Sequence, residues 1–339
     1  MPGQAPAALP GIGLRTRFLP AGVGNIEQDT LMTVIDWLLR SDPAIRWQTL
    51  DGLTDAPPDE VAAERARVAR EGWGAQVLAL QEADGRWNGG TLFPYWITTA
   101  HALQLLCAFG IDPESEEAKR AVAPVHEAAR WEYDTNMRFF DGEVEPCING
   151  RTVAIGAYFG RDMRPVVDRL LTEQMADGGW NCEQENGSTR GSFDTTLGVL
   201  EGLLEFERSE GVDRDVTAAR ERAEEYLLER RLLRRLSDGE IGQKRWLYAG
   251  FPEAWFYTLP RVLDYFRQAR PGPDARMGEA LDILESKRDE TGRWPIEHVY
   301  NDATLIDFGE REGAPSRWIT LRCLRVLRWA DRDGTTRTA

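Results

Sequence analysis

The sequence predicts an all-α fold, an (α/α)6 toroid in which an inner ring of helices is enclosed by an outer ring. A phrase of the form Gln-x-x-x-Gly-x-Trp occupies residues 81–87 and 174–180, and a weaker copy closes at residues 285–294. Each copy ends one helical stretch and precedes, after a loop, a more apolar helical stretch, and sustained period-2 alternation is absent. A repeat of roughly 35 to 60 residues built this way indicates stacked helical hairpins, none of which can bury its apolar face alone.

The domain organisation follows from where the repeats lie. They run from about residue 30 to residue 330 without a linker, which predicts a single toroid domain over residues 26–332. Residues 1–25 are rich in Pro, Gly and Ala and are expected to form an irregular N-terminal arm. Residues 333–339 are expected to be a flexible tail.

The inner helices are predicted from their apolar character, and the outer helices from their higher charge. The inner set is expected near residues 28–40, 96–109, 147–159, 192–207, 254–268 and 316–330. The outer set is expected near residues 60–81, 115–131, 163–176, 214–236 and 273–288. A short helix near residues 43–53 is expected to follow the first inner helix.

The connecting loops differ in length on the two faces of the predicted toroid. Inner helices lead to outer helices through short turns such as residues 110–112, whereas outer helices lead back through long loops such as 177–191 and 289–315. Long ordered loops on one face of a rigid scaffold usually carry function. The same face holds the N-termini of the inner helices, which favour anionic groups. We therefore expect a substrate to enter a central cavity from the long-loop face.

Composition excludes several classes of partner. The chain has 41 basic and 56 acidic residues, a formal net charge of −15, which argues against nucleic acid and anionic membranes. The four cysteines are scattered without a C-x-x-C pair, as expected of free thiols in the cytoplasm. Neither a signal peptide nor an apolar run long enough to span a membrane is expected. The scarcity of lysine suggests a GC-rich, actinobacterial genome. The oligomeric state is left open.

The phrase at 174–180, followed by Ser192-Phe193-Asp194-Thr195-Thr196, resembles the repeats of the prenyltransferase and squalene-cyclase superfamily. The resemblance covers roughly residues 30 to 330 and looks closest to short, single-toroid actinobacterial members. It implies one of two chemistries on the same scaffold. In the cyclases an Asp opening an inner helix protonates an alkene or epoxide, and aromatic rings stabilise the cations. In protein prenyltransferases a zinc ion held by Asp, Cys and His activates a thiolate.

Asp194 is the leading candidate for a catalytic residue. It is expected in the first turn of an inner helix, and a carboxylic acid desolvated among aromatic rings suits a general acid. The alternative is that Asp194 complements the helix dipole. His101 and Tyr257 are the further catalytic candidates, the histidine as a group that tunes a neighbouring carboxylate and either residue as the final proton acceptor. A buried, satisfied histidine of the core is the alternative for His101.

Substrate-binding residues are expected on the long-loop face, where aromatic side chains are plentiful. A cavity lined this way would hold an apolar chain and stabilise cationic intermediates, although ordinary packing explains many such residues. The aromatic candidates are Trp96, Phe140, Phe193, Trp246, Trp255 and Phe256. Among the basic residues of that face, which include Arg151, the candidates are Arg190 and Arg317, since Arg recognises phosphates and carboxylates bidentately.

A metal site is the alternative to metal-free chemistry. Cys147 and Cys182 both fall on the long-loop face, and with Asp194 and His298 they would form a zinc site. The spacing matches no compact zinc motif, and small buried hydrophobes are the alternative for both cysteines. The primary expectation is therefore that no cofactor is needed.

The function predicted is a cytoplasmic, terpenoid-cyclase-like cyclase or isomerase of specialised metabolism. Its substrate would be an apolar isoprenoid or polyene, and acid-initiated cyclisation would run through carbocations in an aromatic-lined cavity. Three alternatives remain open. They are a zinc-dependent prenyltransferase-like transferase or hydrolase, a cyclase that works by shape alone, and a non-catalytic toroid that binds an apolar ligand.

Overall fold

A computed structural model describes residues 33–132, 136–253, 255–299 and 304–331. Within these ranges the regular structure is helical, and the only β pairing consists of isolated bridges. The prediction of an all-α fold is therefore confirmed. The compact unit begins at Val34. The expected arm at 1–25 and tail at 333–339 lie outside the described residues.

The described α-helices are numbered in chain order. The first seven are α1 (Val34–Leu39), α2 (Pro43–Leu53), α3 (Pro58–Ala66), α4 (Gly72–Ala79), α5 (Thr99–Phe109), α6 (Glu116–Val122) and α7 (Val125–Ala128). The next seven are α8 (Pro146–Tyr158), α9 (Arg164–Thr172), α10 (Phe193–Glu210), α11 (Arg214–Glu229), α12 (Leu259–Ala269), α13 (Gly278–Ser286) and α14 (Arg317–Asp331). No helix in these ranges has both the length and the apolar character that a membrane crossing requires.

Within the described ranges, six helices, α2, α5, α8, α10, α12 and α14, surround a common centre, and successive members pack against one another. The ring closes between the two ends of the chain, where α14 packs against α2. Helices α2 and α5 are joined by the indole Nε1 of Trp47, which donates to the Phe109 carbonyl at 2.8 Å. Helices α8 and α10 make the closest approach, since a Cβ added to Gly202 would come within 2.2 Å of the Gly150 carbonyl oxygen.

The first member of this ring differs from the prediction. The expected inner helix at 28–40 is described only from Val34 onward, as the short α1, and residues 28–32 lie outside the described ranges. Helix α2, expected only as a short follower, lines the centre instead. It begins cleanly because the Asp42 side chain accepts from the Ala44 N–H at 2.9 Å and Pro43 occupies the first turn.

Two of the predicted outer helices are each divided into two shorter helices. The helix expected at 60–81 is two helices, α3 and α4, and Gly72 at the start of α4 has a φ of +63° that L-residues rarely adopt. The helix expected at 115–131 is divided into α6 and α7 at Pro124, which cannot donate a hydrogen bond to the preceding turn.

The repeated phrase has one structural role in its three copies. The indole Nε1 atoms of Trp87, Trp180 and Trp294 each donate to a carbonyl ten residues earlier, at 2.7, 2.8 and 2.7 Å, and all three side chains are fully buried. The backbone N–H of each tryptophan donates to a threonine hydroxyl on the following inner helix, for example Thr196 at 3.0 Å from Trp180. Each copy therefore fastens an outer helix to the next inner helix.

Candidate functional site

A cavity of about 450 Å³ lies at the centre of the six-helix ring. Every helix of the ring contributes to its lining, for example through Gln48, Gln104, Arg151, Glu201, Arg261 and Arg322. The cavity is thus a product of ring closure, and no single hairpin could form it.

Aromatic rings surround His101, which lines the cavity at the start of α5. The rings of Trp96, Trp255 and Tyr95 lie 6.0, 6.1 and 6.2 Å from the imidazole, centre to centre. Trp96 was expected to open the helix, but it precedes α5 with a left-handed φ of +78°. These contacts place two of the predicted substrate-binding residues beside the predicted catalytic histidine.

His101 is buried and only partly satisfied by hydrogen bonds. Its Nδ1 lies 3.5 Å from the Thr98 hydroxyl, and its Nε2 is buried without a hydrogen-bond partner among the described residues. Burial, followed by the nearby positive charge of Arg151, lowers the pKa of His101 to about 3. The imidazole is therefore neutral at physiological pH. When Nδ1–H donates to Thr98, Nε2 keeps an uncommitted lone pair.

Other parts of the cavity lining are charged rather than apolar. Glu201 and Glu253 lie in the lining and form ion pairs with Arg261, at 2.5 Å, and with Arg322. Asp264, also in the lining, pairs with Arg267 at 2.6 Å. Carboxylates held by arginines in this way would have to give up these charged hydrogen bonds before they could carry a proton.

A smaller cavity of about 170 Å³ adjoins the first and shares His101, Gln104 and Arg151 with it. Ile155 also lines both cavities, and the remaining lining of the smaller one is mostly apolar and includes Leu92, Trp131, Phe139, Ile148 and Trp255. The shared residues mark where an apolar space and a charged space meet.

Asp194 lies in the first turn of α10, as expected, but both of its carboxylate oxygens are engaged. Its Oδ2 accepts from Arg245 Nη2 at 2.8 Å, and its Oδ1 accepts from the backbone N–H of Tyr257 at 2.8 Å. Asp194 is not part of the lining of either described cavity. These contacts tie the long connection between α11 and α12 to the start of α10 and leave neither carboxylate oxygen without a hydrogen bond.

Tyr257 also has a structural position. Its hydroxyl donates to the Leu232 carbonyl at 2.6 Å, its side chain is fully buried, and burial raises its pKa well above the usual value. Two other predicted binding residues pack around it, since Phe193 and Trp246 stack at 4.2 Å and lie 5.2 and 5.4 Å from its ring. These three rings form a buried cluster that lines neither cavity. Aromatic character and a place on the long-loop face were therefore not enough to identify cavity residues.

The remaining predicted binding residues are likewise placed away from the lining of the cavities. Phe140 packs on Phe139 at 5.0 Å, and Phe256 lies under the guanidinium of Arg245 at 5.1 Å. Arg190 is exposed. Arg317 donates to the Trp37 carbonyl and lies 4.6 Å from the centre of that indole ring.

The two cysteines proposed as metal ligands do come together, but with a different third group. The ligand atoms of Glu145, Cys147 and Cys182 all lie within 4.8 Å of one another. The hydrogen bond between the two thiols raises the pKa of Cys147 and lowers that of Cys182. Among the described residues this cluster includes neither Asp194 nor His298, whose imidazole lies 6.2 Å from Tyr248.

Sequence reasoning missed most of the charged lining. Residues Arg261, Arg322 and Arg325 face the cavity although their helices are otherwise apolar enough to belong to the inner layer. The sequence did contain a signal for two of them. Arg322 and Arg325 are three residues apart, so they lie on the same face of a helix. Glu145 was missed as well, although Glu145-Pro146-Cys147 precedes α8 as a compact carboxylate and thiol pair.

Comparisons with known proteins give a distant structural likeness. No protein-family model and no curated protein matches the sequence. A solved structure of a type II terpene cyclase from Scytonema, bound to its substrate geranylgeranyl dihydroxybenzoate, is 16% identical over 85% of this chain and 86% of that chain, with a TM-score of 0.39. A likeness at this level does not assign an activity, which has to be argued from the site.

Proposed function

We propose that this protein is a cyclase or isomerase that acts on an apolar, unsaturated small molecule in the central cavity. The observation that carries the proposal is the neutral, incompletely bonded His101 ringed by Trp96, Trp255 and Tyr95. Aromatic faces stabilise a cation that develops beside them. When a proton from solvent adds to a double bond of the substrate and forms such a cation, a neutral imidazole with a free lone pair accepts the proton that the cation then loses, so no proton is gained or lost overall. The resemblance of the repeats favours an isoprenoid or a similar polyene as the substrate.

The role first expected of Asp194 is revised in this proposal. A carboxylate that accepts from Arg245 and from a backbone N–H would have to break both hydrogen bonds before it could carry and donate a proton. The proposal therefore places the chemistry at His101 and leaves the folding of the substrate to the shape of the cavity. In that case Asp194→Asn keeps its activity.

The test is turnover of isoprenoid probes by the full chain. Farnesol, farnesoic acid and geranylgeraniol are incubated with the protein in D₂O, and the products are analysed by mass spectrometry for cyclised or isomerised carbon skeletons. We expect products from the native protein and at least a hundredfold loss of rate in His101→Gln, the scale of a lost general base. His126→Gln, on the outer layer, is the matched control.

Two results would contradict the proposal. Undiminished turnover by His101→Gln would remove the histidine from the mechanism. Saturable binding of the probes without any product would instead support the alternative of a non-catalytic protein that binds an apolar ligand.

A zinc-dependent enzyme is the second candidate, favoured by the cluster of Glu145, Cys147 and Cys182. Two sulfurs and one carboxylate oxygen suit zinc, and three protein ligands leave one position for a substrate. Bound there, zinc would polarise a substrate oxygen or activate a thiolate. Near-stoichiometric zinc in protein purified without a metal-affinity tag, lost in Cys147→Ala and Cys182→Ala but kept in Cys323→Ala, would support this candidate. Equal zinc content in all four proteins would refute it.

A further inference from the structure

The central cavity carries an excess of positive charge that the described residues do not neutralise. Its described lining holds seven arginines and four carboxylates. Ion pairs engage Glu201, Glu205, Glu253 and Asp264 with one arginine each. Three lining arginines, Arg65, Arg151 and Arg325, have no carboxylate within ion-pair distance among the described residues. Uncompensated charge of one sign in an enclosed space attracts a ligand of the opposite sign.

The three arginines differ in how well the protein satisfies them. Arg65 donates to the Gly110 carbonyl at 2.8 Å and to the Tyr158 hydroxyl at 3.2 Å. Arg325 donates to the Gln48 side chain at 2.8 Å, and its Nε is buried without a partner among the described residues. Arg151 makes one long hydrogen bond of 3.3 Å to Gln104 and lies 5.6 Å from the centre of the Trp255 ring, and its Nε and Nη2 are buried without a partner in the described part of the chain. Of the three, Arg151 therefore has the fewest of its N–H groups satisfied by hydrogen bonds.

The two unpartnered nitrogens of Arg151 lie on the same edge of its guanidinium group, and Arg151 lines the cavity. In a guanidinium group the Nε–H and one Nη2–H point the same way along one edge, and this edge matches the two oxygens of a carboxylate. Burial, with a further contribution from the charge of Arg261, lowers the pKa of Arg151 to about 9. A buried guanidinium with free N–H groups is costly, and a bound anion would remove that cost.

We propose that Arg151 binds the carboxylate of the cavity's ligand, so that the substrate is an unsaturated carboxylic acid. The proposal deepens the proposed function and rests on it for the occupant of the cavity. Arg151 and His101 line both cavities. A carboxylate on Arg151 therefore holds the apolar chain next to the imidazole, with the smaller, apolar cavity available for its body. A phosphate or diphosphate fits less well, because one free edge supplies two donors and the described lining contains no lysine.

The experiment measures the affinities of three probes with the same chain, namely farnesoic acid, farnesol and farnesyl phosphate, by calorimetry with the full-length protein. We expect the native protein to bind the acid about 30-fold more tightly than the alcohol, the scale of a hydrogen-bonded charged pair. Arg151→Met should abolish this preference. Arg151→Lys should reduce it, because an ammonium keeps the charge but lacks the paired N–H edge.

The matched control is Arg208→Met, which removes a lining charge that is already paired with Glu205 and should leave the preference unchanged. Because Arg151→Met replaces a buried charge with an apolar side chain of similar length, we expect it to fold, and Arg151→Lys serves as the second variant.

Each other outcome overturns the proposal in a different way. An acid preference that survives in Arg151→Met, or that falls equally in Arg208→Met, would show that the general charge of the cavity and not Arg151 binds the anion. Equal affinity of the native protein for acid and alcohol would refute the subsite and leave the proposed function standing. Tighter binding of the phosphate would refute the carboxylate assignment. Failure of all three probes to bind would overturn the subsite and the isoprenoid proposal together.

Discussion

The neutrality of His101 predicts a specific dependence of stability on pH. Burial depresses the pKa of this imidazole from 6.5 to about 3, so the folded protein resists protonation that the unfolded chain accepts. The stabilising contribution is fully present above pH 6.5 and is lost as the pH falls toward 3. Replacing His101 with Gln removes the titration while keeping a polar side chain of similar reach.

The size of the effect follows from the difference in pKa. Within the window between pH 6.5 and pH 3 each pH unit costs about 1.4 kcal/mol of unfolding free energy. Because the unfolded imidazole is only partly protonated near pH 6.5, the loss between pH 7 and pH 5 amounts to about 2 kcal/mol. The wild type should therefore lose about 2 kcal/mol more than His101→Gln over this range.

The assay is urea denaturation of both proteins at pH 7 and pH 5, followed by circular dichroism. The two proteins share all their other titratable groups, so the difference between them isolates His101. His126→Gln, at a position that reaches solvent, is the control and should behave as the wild type does. Identical pH dependence in the wild type and in His101→Gln would refute the buried, neutral imidazole, and with it the proton acceptor of the proposed function.

Three further predictions concern other parts of the molecule. Asp194→Asn should cost about 1 kcal/mol of unfolding free energy, because it removes the partly exposed ion pair with Arg245. The affinity for isoprenoid probes should stay unchanged. A loss of turnover without a loss of stability would restore Asp194 as the acid. Trp180→Phe should cost about 1–3 kcal/mol in denaturation, because the Leu170 carbonyl loses its buried donor, and a neutral result would deny the repeat its structural role. Burial raises the pKa of Glu310 to about 7 from 4.5, so its stabilising contribution is complete below pH 4.5 and lost as the pH rises through 7. Glu310→Gln should therefore remove about 3 kcal/mol of pH dependence over that window, and an unchanged stability profile would contradict the buried carboxyl.

The repeat was predictable because its causes are local. A Gly at the turn and a Trp two residues later determine where an outer helix ends. In the second copy, Gly178 adopts a φ of +88°, and its Cα lies so close to the Arg222 carbonyl that a Cβ would not fit. Helix division at Pro124 could have been predicted on the same basis, since proline breaks a helix when it falls beyond the first turn. The position of α2 in the inner ring, in place of the helix expected at 28–40, could not have been predicted in this way. Both segments have helical patterns, and only ring closure decides which one packs at the centre.

The candidate site likewise contains residues that the sequence could predict and residues whose contacts it could not. His101, Trp96 and Trp255 were identified from residue type and loop position, and they lie together in the structure. Asp194 was chosen for its place in a first turn, but its function depends on partners 51 and 63 residues away, Arg245 and Tyr257. Such long-range pairing leaves no trace in local spacing.

By itself the sequence determined the helical class, the repeating hairpin and the helix ends, because these depend on side chains within about ten residues of one another. Tertiary structure alone decided which charges are neutralised. Seven arginines reach one cavity from four helices of the ring and from α3, and ring closure brings Arg151, which has no ion-pair partner among the described residues, near a neutral His101. Electrostatic energy depends on distance in space and on burial, and neither is set until the chain has closed on itself.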